Sequence, residues 1–149
     1  MRQPLSFFVV GIPMAQPRAK ASHFGGFTRV YTPKGQHENW GMCVRAEAQK
    51  AFDGVKWEGP LRVNLTFYFP RPKAHYNSKG QLKPNAPKWH TQKPDRDNAD
   101  KKIMDTLTNL GIWHDDKQVC AGQIRKFYAP SQHGGMTDCG CHIEIMEAD

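Results

Sequence analysis

"KPDRDNADKKIMDTLTNLGIWHDDKQV", residues Lys93–Val119, is the stretch whose reading decides the fold. On a helical wheel at about 100° per residue, Ala99, Ile103, Leu107 and Leu110 gather at about 200–280° from Asp97, whereas Asp97, Lys101 and Asp105 span about 0–80°. This period predicts a helix from about Asp97 to Leu110, stopped by Gly111, that packs one side and presents two aspartates and a lysine on the other. Asp95 stands two residues upstream in an extended Pro94-Asp95-Arg96 segment, from which its carboxylate can converge with that of Asp97. Asp115 and Asp116 follow after "GIWH", where a short connection can return them to the side of the helix.

Outward from this helix, "PLRVNLTFYFP" (Pro60–Pro70) alternates Leu61, Val63, Leu65, Phe67 and Phe69 with Arg62, Asn64, Thr66 and Tyr68, which predicts a strand with one face in the core. "LSFFVVG" (Leu5–Gly11) predicts a buried strand, and a short hairpin strand is expected near Phe27–Tyr31. Thr32-Pro33 suggests a cap followed by Pro in the first turn of a helix. Trp40, Val44, Ala48 and Ala51 continue it at helical spacing for roughly four turns, to an end before Gly54. Two more strands are expected near Gln118–Ala129 and Cys139–Ala148, separated by the turn-rich "PSQHGGMTD". Residues 71–94 show four prolines, six Lys or Arg and no period, and predict a long basic loop. The order β(β)αβαββ defines an α+β fold, a single domain over residues 1–149 with a mixed β-sheet and two main helices.

A chain of 149 residues has about one domain's length and can bury a core without staples. Its apolar runs are too short to span a bilayer. The four to six apolar residues near the start are broken by Gly11 and Pro13 and do not make a signal peptide, so a cytoplasmic location is expected. The four cysteines are then expected as thiols. Cys120, Cys139, Cys141 and His142 have the chemistry of zinc ligands, but Cys-x-Cys fits strand alternation better than a zinc knuckle. The formal charge of +7 is uneven: residues 1–94 carry 15 Lys and Arg against 4 acids, and residues 95–149 carry 6 against 10. A basic front beside an acidic back suggests a polyanion surface next to a cation pocket.

Carboxylates that meet raise one another's pKa unless a cation neutralises them. An oxygen-only donor set suits Mg²⁺, with Mn²⁺ as its nearest substitute, which takes one or two carboxylates and completes its shell with water and phosphate. Asp95, Asp97 and Asp116 are therefore candidate metal ligands, with Asp105 and Asp115 as supporting neighbours and Lys101 as a cation beside the reacting phosphate. Each also has a plainer role available: Asp97 as a helix cap, Asp105 with Lys101 as a solvated pair, and Asp115-Asp116 as turn formers. Arg18, Lys20, Lys73, Lys83, Lys88 and Lys93, in loops of the basic half, are the candidate DNA contacts.

The same Lys93–Val119 stretch resembles the core signature of the RusA family of Holliday-junction resolvases. In that signature Asp-x-Asp-Asn precedes a helix bearing Lys and Asp, then a Gly-x-Trp-x-Asp-Asp turn and Gln-Val. "GIPMAQPRAK" (residues 11–20) is similar to that family's opening strand and basic turn. The resemblance implies a small Mg²⁺-dependent endonuclease, a homodimer that makes paired nicks across a four-way DNA junction in recombination and repair, of a kind found in phages and prophages. Carried over by position, its catalytic aspartates fall on Asp95, Asp97 and Asp116 and its lysine on Lys101. Arg96, Ala99 and Asp100 depart from the apolar residues common at those places, and the 71–94 loop has no counterpart. Faces bearing Phe7, Trp40 or Phe67 are possible dimer surfaces, although core burial explains each more cheaply. Two other readings compete: a nuclease of broader branched or flap specificity, and a non-catalytic DNA-binding module that stacks bases on Tyr68, Tyr76, Trp89 or His90. A pure binder would avoid the carboxylates, which repel DNA.

Overall fold

Alternation along residues 61–69 builds the middle of the sheet. In the computed structural model, which describes residues 1–17, 20–31, 35–130 and 138–149, strand β4 (Leu61–Pro70) buries Leu61, Val63, Leu65, Phe67 and Phe69. Strand β7 (Gly140–Glu147) pairs antiparallel with β4 on one side and with β1 (Leu5–Val10) on the other, bringing Val9 beside Cys141 and Phe67 beside Cys141 in register. On its other edge β4 pairs in parallel with β5 (Val119–Ala121) and then β6 (Ile124–Ala129). The sheet is thus mixed, in the order β1-β7-β4 followed by β5 and β6. A separate hairpin joins β2 (Lys20–Phe24) to β3 (Phe27–Tyr31).

Helix α1 (Gln36–Ala51) buries Trp40, Val44 and Ala48 against β1, and α2 (Arg96–Leu110) buries Ala99, Ile103, Met104 and Leu107. The two helices contact each other. Their apolar stripes meet the face formed by Val9, Cys141, Ile143, Ile145 and the odd-numbered residues of β4 in one core. The expected helix start at Thr32-Pro33 lies outside the described residues, and the helical residues begin at Gln36 with Gly35 as cap. Trp40 and Phe67 are core residues and Phe7 packs on the core, so core burial takes all three faces named as possible dimer surfaces. Among the described residues no helix is long and apolar enough to cross a membrane.

The predicted strand at Gln118–Ala129 is two strands, broken at Gly122-Gln123. Gly122 has φ 137°, and a Cβ there would run into the Val63 carbonyl oxygen, so glycine alone lets the chain pass so near β4. Asn64 then caps the break by accepting from Gln123 N at 3.0 Å.

The basic loop before α2 is pinned by side chains together with short backbone pairings. Arg71 donates to Pro87 O at 2.6 Å and to Pro130 O at 2.8 Å. Asn77 Oδ1 accepts from Lys79 N and Gln81 N at 2.9 and 3.0 Å. The end of the loop crosses the free edge of β6: His90 N donates to Lys126 O at 2.9 Å and Tyr128 N to Lys88 O at 3.0 Å. The His90 ring stacks on Phe69 at 3.9 Å and the Trp89 ring on Phe127 at 4.4 Å.

Candidate active site

Asp95 is the N-cap residue of α2, with extended backbone (φ −63°, ψ 157°), and its side chain makes no capping hydrogen bond. Because Ala99, Ile103, Met104 and Leu107 fix the buried side of α2, Asp97 and Lys101 are turned to solvent and Asp100 is half-buried. Lys101 Nζ lies 3.4 Å from Asp105 Oδ2, an exposed i, i+4 pair.

At the other end of α2 Gly111 adopts the left-handed conformation (φ 87°), its N–H bonding back to Leu107 O and Thr108 O. Ile112 and Trp113 are fully buried beyond it, and Trp113 Nε1 donates to Thr108 Oγ1 at 2.7 Å. This anchor delivers Asp115 and Asp116 to a single 3-10 turn, Asp116–Gln118. A reciprocal capping box holds the turn: Asp115 Oδ1 accepts from Lys117 N at 2.9 Å while Gln118 Oε1 accepts from Asp115 N at 3.1 Å and His114 N at 2.8 Å. Gln118 Nε2 also donates to Trp57 O and Gly59 O at 3.1 and 3.0 Å, stapling the turn to the segment before β4.

Asp100 and Asp116 line the same cavity, of about 480 Å³, with Met104, Val63, Cys120 and Gly122. Burial, then the charges of Asp116, Asp105 and Asp97, push the Asp100 carboxyl above the usual carboxylate range. Asp116 is also raised, first by its hydrogen bond with the Asp115 carboxyl and then by burial and the charges of Asp115 and Asp105, with Lys101 opposing. Asp115 is correspondingly lowered, first by the Lys117 N–H and then by Asp116. The fold therefore brings Asp97, Asp100, Asp105 and Asp116 into one electrostatic neighbourhood.

Asp95 faces elsewhere. It lines a second cavity with His90, Lys93 and Asn98, and its charge opposes the lowering that burial imposes on Lys126. Asp105 borders a third hollow with Lys102, whose Nζ is 3.2 Å from His37 Nδ1. Among the described residues no three His, Cys, Asp or Glu side chains gather closely enough to make a ready cage for a metal. The donor set still fits a hydrated hard cation, since Mg²⁺ needs only one or two carboxylates and keeps its waters. Asp100 and Asp116 share a cavity, offer oxygen only, and repel each other when nothing neutralises them.

Of the DNA-contact candidates, Lys20, Lys73, Lys88 and Lys93 are exposed, Lys83 is half-buried, and Arg18 lies outside the described residues. Lys88 Nζ stands 5.5 Å from the ring centres of both Trp89 and Phe127. The sequence reading marked Asp100 as one acid of the cluster and a departure from the family's apolar residues without making it a ligand, and it gave Lys126 no role. Asp100 sits at about 300° on the wheel, on the border between stripe and polar face, which is where a half-buried acid belongs. Lys126 shares its strand face with Ile124 and Tyr128, and a lysine at such an inward position needs a partner; its Nζ donates to Gln92 O at 2.8 Å and feels Asp95. The zinc alternative loses its ligands to other roles: Cys141 is wholly buried, Cys120 Sγ faces Leu61 O at 3.7 Å, and His142 Nε2 lies 2.8 Å from Ser6 Oγ.

Over residues 11–134 the chain matches the family model described as endodeoxyribonuclease RusA. The chain belongs to the RusA endodeoxyribonuclease family. It is 32% identical over 133 residues to the uncharacterized protein YqaN of Bacillus subtilis (strain 168), a match covering 84% of this chain and 88% of that protein. It is 22% identical over 126 residues to the crossover junction endodeoxyribonuclease rusA of Lactococcus phage r1t, covering 85% of this chain and 88% of that one.

Proposed function

We propose that this chain is a Mg²⁺-dependent endodeoxyribonuclease that resolves four-way DNA junctions by paired symmetric nicks, acting as a homodimer. One observation carries the reading: in a chain of net charge +7, Asp100 and Asp116 are held in one cavity, Asp100 raised first by burial and then by neighbouring carboxylates, Asp116 first by its hydrogen bond with the Asp115 carboxyl. A cation bound there would relieve the repulsion among these carboxylates. The residues that would hold the ion are Asp116 and Asp97 with Asp100 beside them, and Asp95 at the start of the same helix. Bound Mg²⁺ would supply the Lewis acidity that ionises a water and stabilises the leaving oxygen of a phosphodiester.

The chain's own groups do the rest. Lys101, tethered by Asp105, offers an ammonium to the negative charge that develops on the phosphoryl oxygens or to the departing oxygen. Lys88 and Lys93, on the ordered loop, bind the flanking phosphates and set the strand's path past α2. The described residues contain one carboxylate cluster and the sequence has no internal repeat, so two symmetric cuts need two copies related by a two-fold axis.

The test incubates purified protein with a synthetic four-way junction and with linear duplex of the same sequence, in Mg²⁺ or in EDTA. Symmetric nicking of the junction alone, in Mg²⁺ alone, is expected. Asp97→Asn or Asp116→Asn should lower turnover at least about a hundredfold with junction binding retained. Cleavage in EDTA, or a monomer by light scattering that nicks one strand only, would overturn the scheme and favour a broader branch or flap nuclease.

A further inference from the structure

Apart from Asp95 and Lys93, the residues that line the cavity in front of the start of α2 have no part in the chemistry described so far. The cavity measures about 660 Å³ and is walled by Pro13, Met14 and Phe69, with His90, Asp95 and Asn98 along one edge and Lys93 at hand. Apolar walls with a few convergent polar groups are the usual make-up of a site for a small, flat molecule.

His90 gives the edge its character. The residue is 8% exposed, its ring is clamped on Phe69 at 3.9 Å and edge-on to Tyr128 at 5.0 Å, and its N–H is tied to Lys126 O. Its Nδ1 is buried with no hydrogen-bond partner among the described residues. Burial, then the charge of Lys126, lowers its pKa to about 4, so the ring is neutral at neutral pH. A neutral imidazole and the Asn98 carboxamide can each both donate and accept, whereas the Asp95 carboxylate repels anions. The edge therefore suits an uncharged heterocycle with mixed donors and acceptors and disfavours a phosphate, for which Lys93 is the available partner.

We propose that this cavity receives one nucleobase turned out of the stack at the branch point, next to the phosphate presented to the carboxylates, with its faces on the apolar walls and its polar edge toward His90 and Asn98. The inference rests on the proposed junction-cleaving function. Turning a base out costs a few kcal/mol, least where pairing or stacking is already interrupted, as at a branch point. The cavity would thus favour junctions over duplex, and its edge would set the preferred base beside the cut.

The experiment places a single 2-aminopurine at successive positions around the branch point of a four-way junction, in EDTA so that nothing is cut, and follows its fluorescence as the full-length protein is added. The anisotropy of a separate dye on an arm reports binding. The expected result is a rise at one position related by symmetry between arms and at no other, as for a base leaving the stack. Ala15→Trp and the milder Ala15→Leu, which fill the cavity from its wall, should abolish that rise with the junction still saturated by anisotropy and the circular dichroism native. Full binding with unchanged fluorescence at every position in the wild type overturns the assignment without any variant. A rise that survives in a folded Ala15→Trp places the base elsewhere and overturns it too. Absence of junction binding by anisotropy refutes the parent function, and the cavity's role with it.

Discussion

Gln118→Ala tests whether the capping turn is what positions Asp116. The side chain makes four hydrogen bonds, to His114 N, Asp115 N, Trp57 O and Gly59 O, at 2.8–3.1 Å. Those to Asp115 N and Trp57 O are partly buried, and their loss should cost about 1 kcal/mol each; the other two are exposed, and water replaces them at up to about half that cost each, for about 2–3 kcal/mol in all. For a domain of this size that is a fall in Tm of about 5–10 °C. The loosened turn should also lower junction turnover about tenfold or more, since a carboxylate displaced by about 1 Å loses its reacting geometry, while junction affinity holds. Gln118→Glu keeps both acceptor bonds but turns a carboxylate on the Trp57 and Gly59 carbonyls, and should resemble Gln118→Ala. Urea unfolding and single-turnover cleavage measure the two effects. An unchanged unfolding midpoint with turnover within about twofold of wild type would refute the staple.

His90 carries a pH signature. Its pKa is lowered to about 4 in the fold against about 6.5 unfolded, so between those values the unfolded chain binds the extra proton; this residue's contribution is complete above about pH 6.5 and shrinks as pH falls toward 4, by about 3 kcal/mol in total. His90→Phe, which can keep the stack on Phe69, should flatten urea-unfolding stability over that window; an unaltered pH slope would contradict the buried neutral ring. Lys83→Ala with Lys88→Ala should reduce the log–log salt slope of junction binding by up to about 2, because each phosphate contact contributes about 0.9; an unchanged slope removes the loop from the DNA surface. With a thiol reagent, exposed Cys43 and Cys120 should react at once, and Cys141, wholly buried with its thiol pushed up by burial, only on unfolding. Rapid labelling of Cys141 in the native protein would mean that β7 is not seated as described.

Helix α2 and strand β4 were legible because each repeats its own period: a stripe at 3.6 residues closed by Gly111, and five apolar residues at a spacing of two. The break in "VCAGQIRKFYA" was not, since the reason for it is a carbonyl on β4 some sixty residues earlier, and only the glycine hints at it. The 71–94 loop looked shapeless for a related cause. Its order comes from Arg71, Asn77 and the stacking of His90 and Trp89, contacts that leave no period in the sequence. At the site, the sequence assembled the acids but not their grouping. Extended backbone at Asp95 sends that carboxylate toward His90 and Lys93, and Asp100, read only as an extra acid, shares the cavity with Asp116.

The position of β7 between β1 and β4 bears on when the protein becomes competent during its own synthesis. Every residue proposed for the chemistry lies between Asp95 and Asp116, yet among the described residues β1 pairs in the main sheet with β7 alone, and β7 is what covers β4 on that side. Until β7 has been made and has left the ribosome, the N-terminal strand lacks the strand it pairs with in the sheet, and α1, which rests on β1, lacks its floor. Domains fold as units once their elements are available, and pairings of long sequence separation form late. A nascent chain that already carries all its acids would therefore remain unfolded at the sheet, and a junction-cutting activity would be withheld until translation of the last strand is complete.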